Sequence, residues 1–390
     1  MPEPETSCVV VGGGPAGLAT ALALRRVGEA GIVVEQGDSV GTAWRARYDR
    51  LRLNSSLLTT TLPGLRFRRA TGLFPSRDEF VEYLARYVAR HGLDVRTGTR
   101  VARIDRDGGD WCLETSAGRI RTRHVIVATG YANQPVVPPW PRRDGFAGPI
   151  LHSASYRNAM PFRGRDVLVA GAGSSALEIA YDLVQGRARR VRLAVRTPPN
   201  ILLRSMGGVP GDVIALAMLR LPPRVADAHT RAVSRAALGD LSAYGLPPAP
   251  EGPFARLRRL GLAPAIVDRP VIDAIREGRI EVVAGVDGFR TAAVRLAGGH
   301  TVEPDAVIAA TGYRCGLEEL VGHLGVLDER GVPRIADGKE AAPGLRFVGY
   351  TPAPGQIRRF AVEAQTAAEG IRTSPRFPAR RRPAARRSSR

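Results

Sequence analysis

The 390-residue sequence predicts an α/β fold of two parallel-sheet domains, one inserted into the other. Three observations carry that prediction. Glycine-rich turns occur at Gly12-Gly-Gly14-Pro-Ala-Gly17 and again at Gly171-Ala-Gly173-Ser-Ser-Ala176. Each follows a short apolar run and precedes a helical pattern, as in a βαβ unit. Finally, Val125-Ile-Val-Ala-Thr-Gly-Tyr131 and Val307-Ile-Ala-Ala-Thr-Gly-Tyr313 differ at one position and bracket the second turn. Two such strands suit a chain that crosses a hinge twice. Both units are therefore expected to be Rossmann-like dinucleotide-binding domains.

Taken in order, Cys8 to Val11 reads as a buried parallel strand running into the first turn. The following helix starts near Pro15, keeps Leu18, Leu22 and Val27 apolar, and stops near Gly28. Ile32 to Glu35 is the second strand. The stretch from Pro135 to Pro141 is a stiff surface connection, as is Pro247 to Pro253. Val167 to Ala170 is a strand, Ser174 to Gln185 a helix closed by Gly186, and Val191 to Val195 a strand ending at Arg196. The expected limits are 1–144 and 313–372 for the first domain and 145–312 for the inserted one. The segment 373–390 has seven arginines and no acid, and is expected to be a disordered basic tail.

Bulk composition, 44% hydrophobic and 24% charged, is that of a soluble globular protein. The longest apolar run, Val213 to Leu221, is broken by Arg220 and falls short of the ~20 residues a membrane span requires. The start, Met-Pro-Glu-Pro-Glu, has neither the basic residues nor the apolar stretch of a signal peptide. Cys8, Cys112 and Cys315 are too few and too scattered for a disulfide framework, so a reducing cytoplasm is expected. The formal charge of +20 rests almost wholly on arginines, with Lys339 the one lysine. They are spread along the chain without interleaved aromatics, so no specific nucleic-acid partner is expected. Steering of anionic cofactors and substrates inward is the milder consequence. A homodimer is left open.

The turns carry the first functional reading. Gly12 makes a tight turn, Gly14 lets backbone approach a pyrophosphate, and Gly17 permits close helix–strand packing, with Pro15 and Ala16 between them. Glu35, followed by Gln36, ends the second strand 18 residues past Gly17. A carboxylate there accepts both ribose hydroxyls and repels a 2′-phosphate, which suits FAD or NAD. In the second unit, Gly171, Gly173, Ser174, Ser175 and Ala176 form the turn, and the equivalent strand ends in Arg196. An arginine pairs bidentately with a 2′-phosphate, which suits NADPH. Ala128-Thr129-Gly130 and Ala310-Thr311-Gly312, at the ends of the hinge strands, are counted with the cofactor contacts. The expected cofactors are FAD and NADPH, with the NADPH domain inserted into the FAD domain.

Between the turns, Phe146-x-Gly148-x-x-x-His152-x-x-x-Tyr156-Arg157 resembles the fingerprint of the class B flavin-dependent monooxygenases at every defined position. The resemblance covers nearly the whole folded chain. Gly41-Thr-Ala-Trp44, Tyr48-Asp-Arg-Leu-Arg-Leu53, Phe74-Pro-Ser-Arg-Asp-Glu-Phe80, Leu238-Gly-Asp240 through Gly252-Pro253, and Ile272 to Val283 are similar to the YUCCA-type branch, whose enzymes decarboxylate indole-3-pyruvate oxidatively.

The resemblance implies an NADPH- and O2-dependent enzyme acting on a small molecule through an oxygen adduct at flavin C4a. N- or S-oxygenation and oxidative decarboxylation of an α-keto acid are the rival reactions, because fold does not choose the substrate. Asn54 and His152 are the candidate catalytic residues. His152 has an organisational role at the domain junction or is a satisfied structural histidine; Asn54 lies near the flavin or is an ordinary turn asparagine. Trp44, Arg45 and Gln356 join the cofactor contacts, Gln356 opening a helix aimed at the flavin's pyrimidine end. Gly349-Tyr350 departs from the Gly-Asp of many FAD proteins. No Ser/His/Asp triad or metal cluster is apparent, and the lack of Cys-x-x-Cys speaks against dithiol relatives. The competing readings are an NADPH oxidase or flavin reductase releasing H2O2, and a flavin-bearing redox-sensor or binding protein.

Overall fold

The computed structural model describes residues 6–373, so the basic tail from Ser374 onward lies outside the described residues. The chain opens with β1 (Thr6–Val11), α1 (Pro15–Arg26) and β2 (Gly31–Val34). After α2 (Arg77–His91) come β3 (Val95–Arg96) and the meander β4 (Val101–Asp107), β5 (Asp110–Thr115) and β6 (Gly118–Val127). The chain leaves through β7 (Gln134–Pro135) and builds β8 (Ile150–His152), β9 (Asp166–Ala170), α3 (Ser174–Gln185) and β10 (Arg190–Val195). Next come α4 (Gly211–Met218), α5 (Pro223–Leu238) and α6 (Pro253–Leu260) and, past a further helix Arg269–Arg276, β11 (Glu281–Ala284) and β12 (Ala306–Ala309). It returns through β13 (Tyr313–Arg314) to β14 (Leu345–Phe347) and α7 (Gln356–Arg372).

Two parallel arrays result, with the same order in four of their five strands and a different origin for the outermost one. The first runs β14-β6-β1-β2-β3, and the second β8-β12-β9-β10-β11. The strands of the second all lie, in sequence, between β6 and β14, which makes one Rossmann-like domain an insertion in the other. Their apolar runs are explained by burial on both faces: Cys8 to Val11, Val125 to Val127, Val167 to Ala170 and Ala306 to Ala309 are all buried. In the first domain α1 packs against α7 on one face, while Trp111, Leu113 and Leu317 belong to the cluster on the other. The two crossings, β7 and β13, pair antiparallel with Tyr313 opposite Pro135. No helix among the described residues is long and apolar enough to cross a membrane.

Candidate cofactor and substrate site

The first glycine turn is built by sterics. Gly12 has φ +114°, and a Cβ there would fall 2.7 Å from the Ala128 carbonyl oxygen. A Cβ on Gly17 would lie 1.9 Å from the Gly12 oxygen. Gly14 differs: its backbone is extended, and a Cβ would meet nothing within 4 Å. The space beside Gly14 is therefore open, at an α1 N-terminus that no side chain caps. Glu35 stands over this turn, its Oε2 accepting the Gly13 N–H at 2.7 Å and its Oε1 the Gly37 N–H at 2.9 Å. Each oxygen keeps a further lone pair, which is what a ribose diol takes up.

The second turn repeats the arrangement. Gly171 has φ +136° with its Cβ position 2.3 Å from the Ala310 carbonyl oxygen, while Gly173 again meets nothing within 4 Å at an uncapped N-terminus of α3. Thus the near-identical hinge strands each end by packing an alanine carbonyl on the first glycine of a turn. Arg196 follows β10 and is exposed, with no hydrogen-bond or ion-pair partner among the described residues. A Cβ on Gly285 would crowd the Arg196 Cα at 2.9 Å, so glycine there lets the neighbouring strand pass.

The Phe146–Arg157 segment forms the domain junction. Gly148 is required because a Cβ would fall 2.7 Å from the Phe146 ring and 2.8 Å from the Asp305 carbonyl oxygen. His152 Nδ1 accepts the Ala154 N–H at 3.0 Å, so Nε2 carries the proton and donates to the Gly312 carbonyl at 3.1 Å. Both nitrogens are committed, the ring packs edge-on to Tyr313 with centroids 5.0 Å apart, and burial holds its pKa below the usual imidazole value. Tyr156 donates to Asp182 of α3 at 2.6 Å, and Arg157 donates to the carbonyls of Ala46 and Arg47. The segment therefore fastens the inserted sheet to the first domain.

Both turns open onto one cavity of about 1060 Å³, at the top of the range for single small-molecule pockets. Gly12, Gly14, Pro15, Ala16, Glu35, Gln36, Trp44, Asn54, Ala128, Thr129, Gly130, Gly173, Ser174, Ser175 and Gln356 line it together. Gly17, Arg45, His152, Gly171, Ala176, Arg196, Ala310, Thr311 and Gly312 do not line it. Gly17, Gly171 and Ala176 shape the turns from behind, and His152 braces the hinge.

Arg45 is exposed at the end of a short helix, Thr42–Arg45, while Arg47 turns inward two residues later. Arg47 reaches both hinge crossings, donating to Ala132 O at 3.1 Å and lying 4.5 Å over the Tyr313 ring. Sequence reasoning missed it because Arg47 lies just past the end of that helix, where no local pattern fixes the direction of a side chain. At the start of α7, Gln356 accepts from Tyr131 Oη at 3.0 Å, and its Nε2 is buried without a partner among the described residues. Where Gly349 gives way to Tyr350, the buried phenol reaches Thr129 Oγ1 at 2.7 Å, tying the second domain segment to the first hinge strand. The far end of the cavity is walled by α4, α5 and α6, with Ile214, Met218, Val233, Phe254 and Leu257 making it largely apolar. None of these wall residues was singled out from sequence.

The donor set fits two dinucleotides on the protein side. It offers two open glycine cradles, a carboxylate beside one and an unpaired arginine beyond the other, and an orphaned amide N–H near the α7 N-terminus. The family of pyridine nucleotide-disulphide oxidoreductases matches residues 9–201. The chain is similar to indole-3-pyruvate monooxygenase YUCCA1 of Oryza sativa subsp. japonica, 34% identical over 351 residues, covering 88% of this chain and 86% of the relative. It is 36% identical over 320 residues to YUCCA8 of Oryza sativa subsp. indica, covering 78% and 75%. Among solved structures, a double mutant of a flavin monooxygenase from Stenotrophomonas maltophilia superposes with TM-score 0.74 at 25% identity, over 94% of this chain and 98% of that one. A cyclohexanone monooxygenase shares the fold with TM-score 0.73 at 18% identity, over 94% and 87%.

Proposed function

Because the chain belongs to the class B flavin-dependent monooxygenases, on their YUCCA-like side, we propose that it uses NADPH and O2 to oxygenate a small organic molecule. The reaction is N- or S-oxygenation, or oxidative decarboxylation of an α-keto acid. One observation carries this reading: both glycine cradles and an apolar chamber share one cavity. FAD, when bound, supplies the two electrons that let one oxygen atom enter the substrate while the other leaves as water.

In this reading the chain's residues divide the labour. Gly12, Gly14 and Gly17 form the flavin's diphosphate turn, Glu35 accepts its ribose hydroxyls, and Gln356 offers an N–H to the ring's polar edge. Gly173 with Ser174 and Ser175 receives the second diphosphate, and Arg196 takes the 2′-phosphate at the exposed edge. Asn54 faces the space between the cofactors, and Arg47 takes the place expected of Arg45. The helices α4 to α6 exclude water around the substrate. The domain limits at 144/145 and 312/313 belong to the same proposal.

The test is a balance of NADPH, O2 and product with an amine, a sulfide and an aromatic α-keto acid such as indole-3-pyruvate. One of them is expected to yield a product carrying a single atom from labelled O2, or the decarboxylated acid. Stoichiometric H2O2 with every substrate would replace this reading with the oxidase one.

A further inference from the structure

Arg204 lies just past the strand Ile201–Leu203 of the inserted domain and is only 3% exposed. Its guanidinium reaches across the domain junction. NH1 donates to the carbonyls of Arg52 at 3.0 Å and Leu53 at 2.7 Å, and to Asn54 Oδ1 at 3.1 Å. Nε pairs with Asp268 at 3.0 Å, and NH2 with Glu178 of α3, which also accepts the Tyr48 hydroxyl. A few residues on, Asp212 of α4 accepts the Ser56 N–H at 2.9 Å, its hydroxyl at 3.0 Å, and the Thr59 hydroxyl. The stretch from Arg52 to Thr59 belongs to the first domain, yet residues of the second grip it at both ends.

This grip decides what Asn54 presents. Arginine only donates, so the Asn54 oxygen must face Arg204 and the NH2 group must face the other way. That nitrogen lies 3.4 Å from Ser174 Oγ, at the start of α3, and the Ser174 oxygen already accepts the Ile266 N–H at 2.8 Å. Asn54 and Ser174 both line the cavity, beside the second cradle. The wall between the two cradles therefore offers an amide N–H donor, with its acceptor turned away.

We infer that Arg204 is a positioning residue: it fixes the Asn54 carboxamide as a donor between the two cofactors. Lysine retains the charge but lacks the planar fork, which holds residues 52–54 through NH1 while Nε and NH2 stay paired with Asp268 and Glu178. The inference rests on the proposed placement of the cofactors, but not on which substrate is oxygenated. Its test therefore uses the reductive half-reaction alone, in which failure to oxygenate any substrate has no part.

The experiment compares FAD-loaded wild type, Arg204→Lys, Arg204→Gln, Asn54→Asp and the Arg204→Lys/Asn54→Asp double variant, mixed with NADPH without oxygen. Flavin reduction and the long-wavelength nicotinamide–flavin absorbance are followed. Asn54→Asp keeps an acceptor for Arg204 but removes the donor. Each single variant is expected to keep its flavin, to slow reduction about tenfold, and to weaken the long-wavelength band. The double variant is expected to be no slower than the slower single one, because both changes act through one amide. Multiplicative losses, or an Asn54→Asp enzyme that reduces at the wild-type rate, would overturn the inference. Loss of bound flavin in both Arg204→Lys and Arg204→Gln would make Arg204 a folding residue and overturn it as well.

Discussion

A Cβ on Gly12 would sit 2.7 Å from the carbonyl oxygen of Ala128, and Ala310 bears the same relation to Gly171 at 2.3 Å. The two sequence repeats of this chain are thus halves of one steric device used twice. A hinge strand closes on the back of a glycine turn, and the front of the turn is left open. The front and back glycines consequently predict different phenotypes.

Gly14 has a backbone conformation any L-residue adopts and an empty Cβ direction. Gly14→Val is therefore expected to fold with an unchanged circular dichroism spectrum and to purify without flavin. Gly17→Ala, with its Cβ 1.9 Å from the Gly12 oxygen, is expected instead to lose stability, by about 1–3 kcal/mol. Full flavin content in Gly14→Val would remove this turn from the FAD site.

Gly173 repeats the logic in the other domain, its Cβ direction being equally empty. Gly173→Val is expected to retain yellow, FAD-loaded protein while NADPH no longer reduces it at micromolar concentration. Photoreduction of the same sample should proceed normally. If NADPH reduced the variant as fast as wild type, the second cradle would have been placed on the wrong turn.

Arg196 is exposed just past the end of β10 and has no partner among the described residues. Loss of a charge-assisted bond to a 2′-phosphate is worth about 1.5–3 kcal/mol. Arg196→Ala should weaken NADPH by roughly ten- to a hundredfold and leave NADH nearly unchanged. Dissociation constants for both, from titration of flavin absorbance, decide it; equal losses would exclude the residue.

His152 gives a pH dependence with a definite sign. Burial holds its folded pKa below the ordinary imidazole value of about 6.5, so the unfolded chain binds the extra proton first. Its contribution to stability is complete above about pH 6.5 and is lost as pH falls through the folded value. Urea midpoints from pH 5 to 8 should slope less in His152→Gln than in wild type. His91 and His124, also held down by burial, retain part of the slope. Identical slopes would show that His152 is not buried neutral.

What could be read from sequence was whatever is enforced over a few residues. The glycine turns, the helix Ser174–Gln185 and the hinge strands answer to local sterics and periodicity, and they lie where expected. Arg45 was named and Arg47 was not, because the one-turn helix ends at Arg45 and nothing local shows that the chain beyond it turns Arg47 into the cavity. Arg204 and Glu178 were invisible for a different reason, and Tyr48 was seen only as part of a motif, without its partner. Their bonds span sequence separations of 26 to 152 residues, and nothing near any one of them announces the others. The apolar wall from α4 to α6 showed in sequence only as the apolar run Val213 to Leu221 and a family-like stretch from Leu238 to Pro253, so its place around a cavity emerges only in three dimensions.

The pairing of β7 with β13 has one more consequence. Entry to and exit from the nicotinamide half lie on adjacent strands, about 5 Å apart. Two cuts there would release that half as a cassette and leave ends that a very short linker rejoins. Swapping cassettes between relatives would then change the electron donor without disturbing the flavin's own sheet. It would, however, carry Arg204 and Asp212 away with it, so a graft must bring a matching grip for residues 52–59.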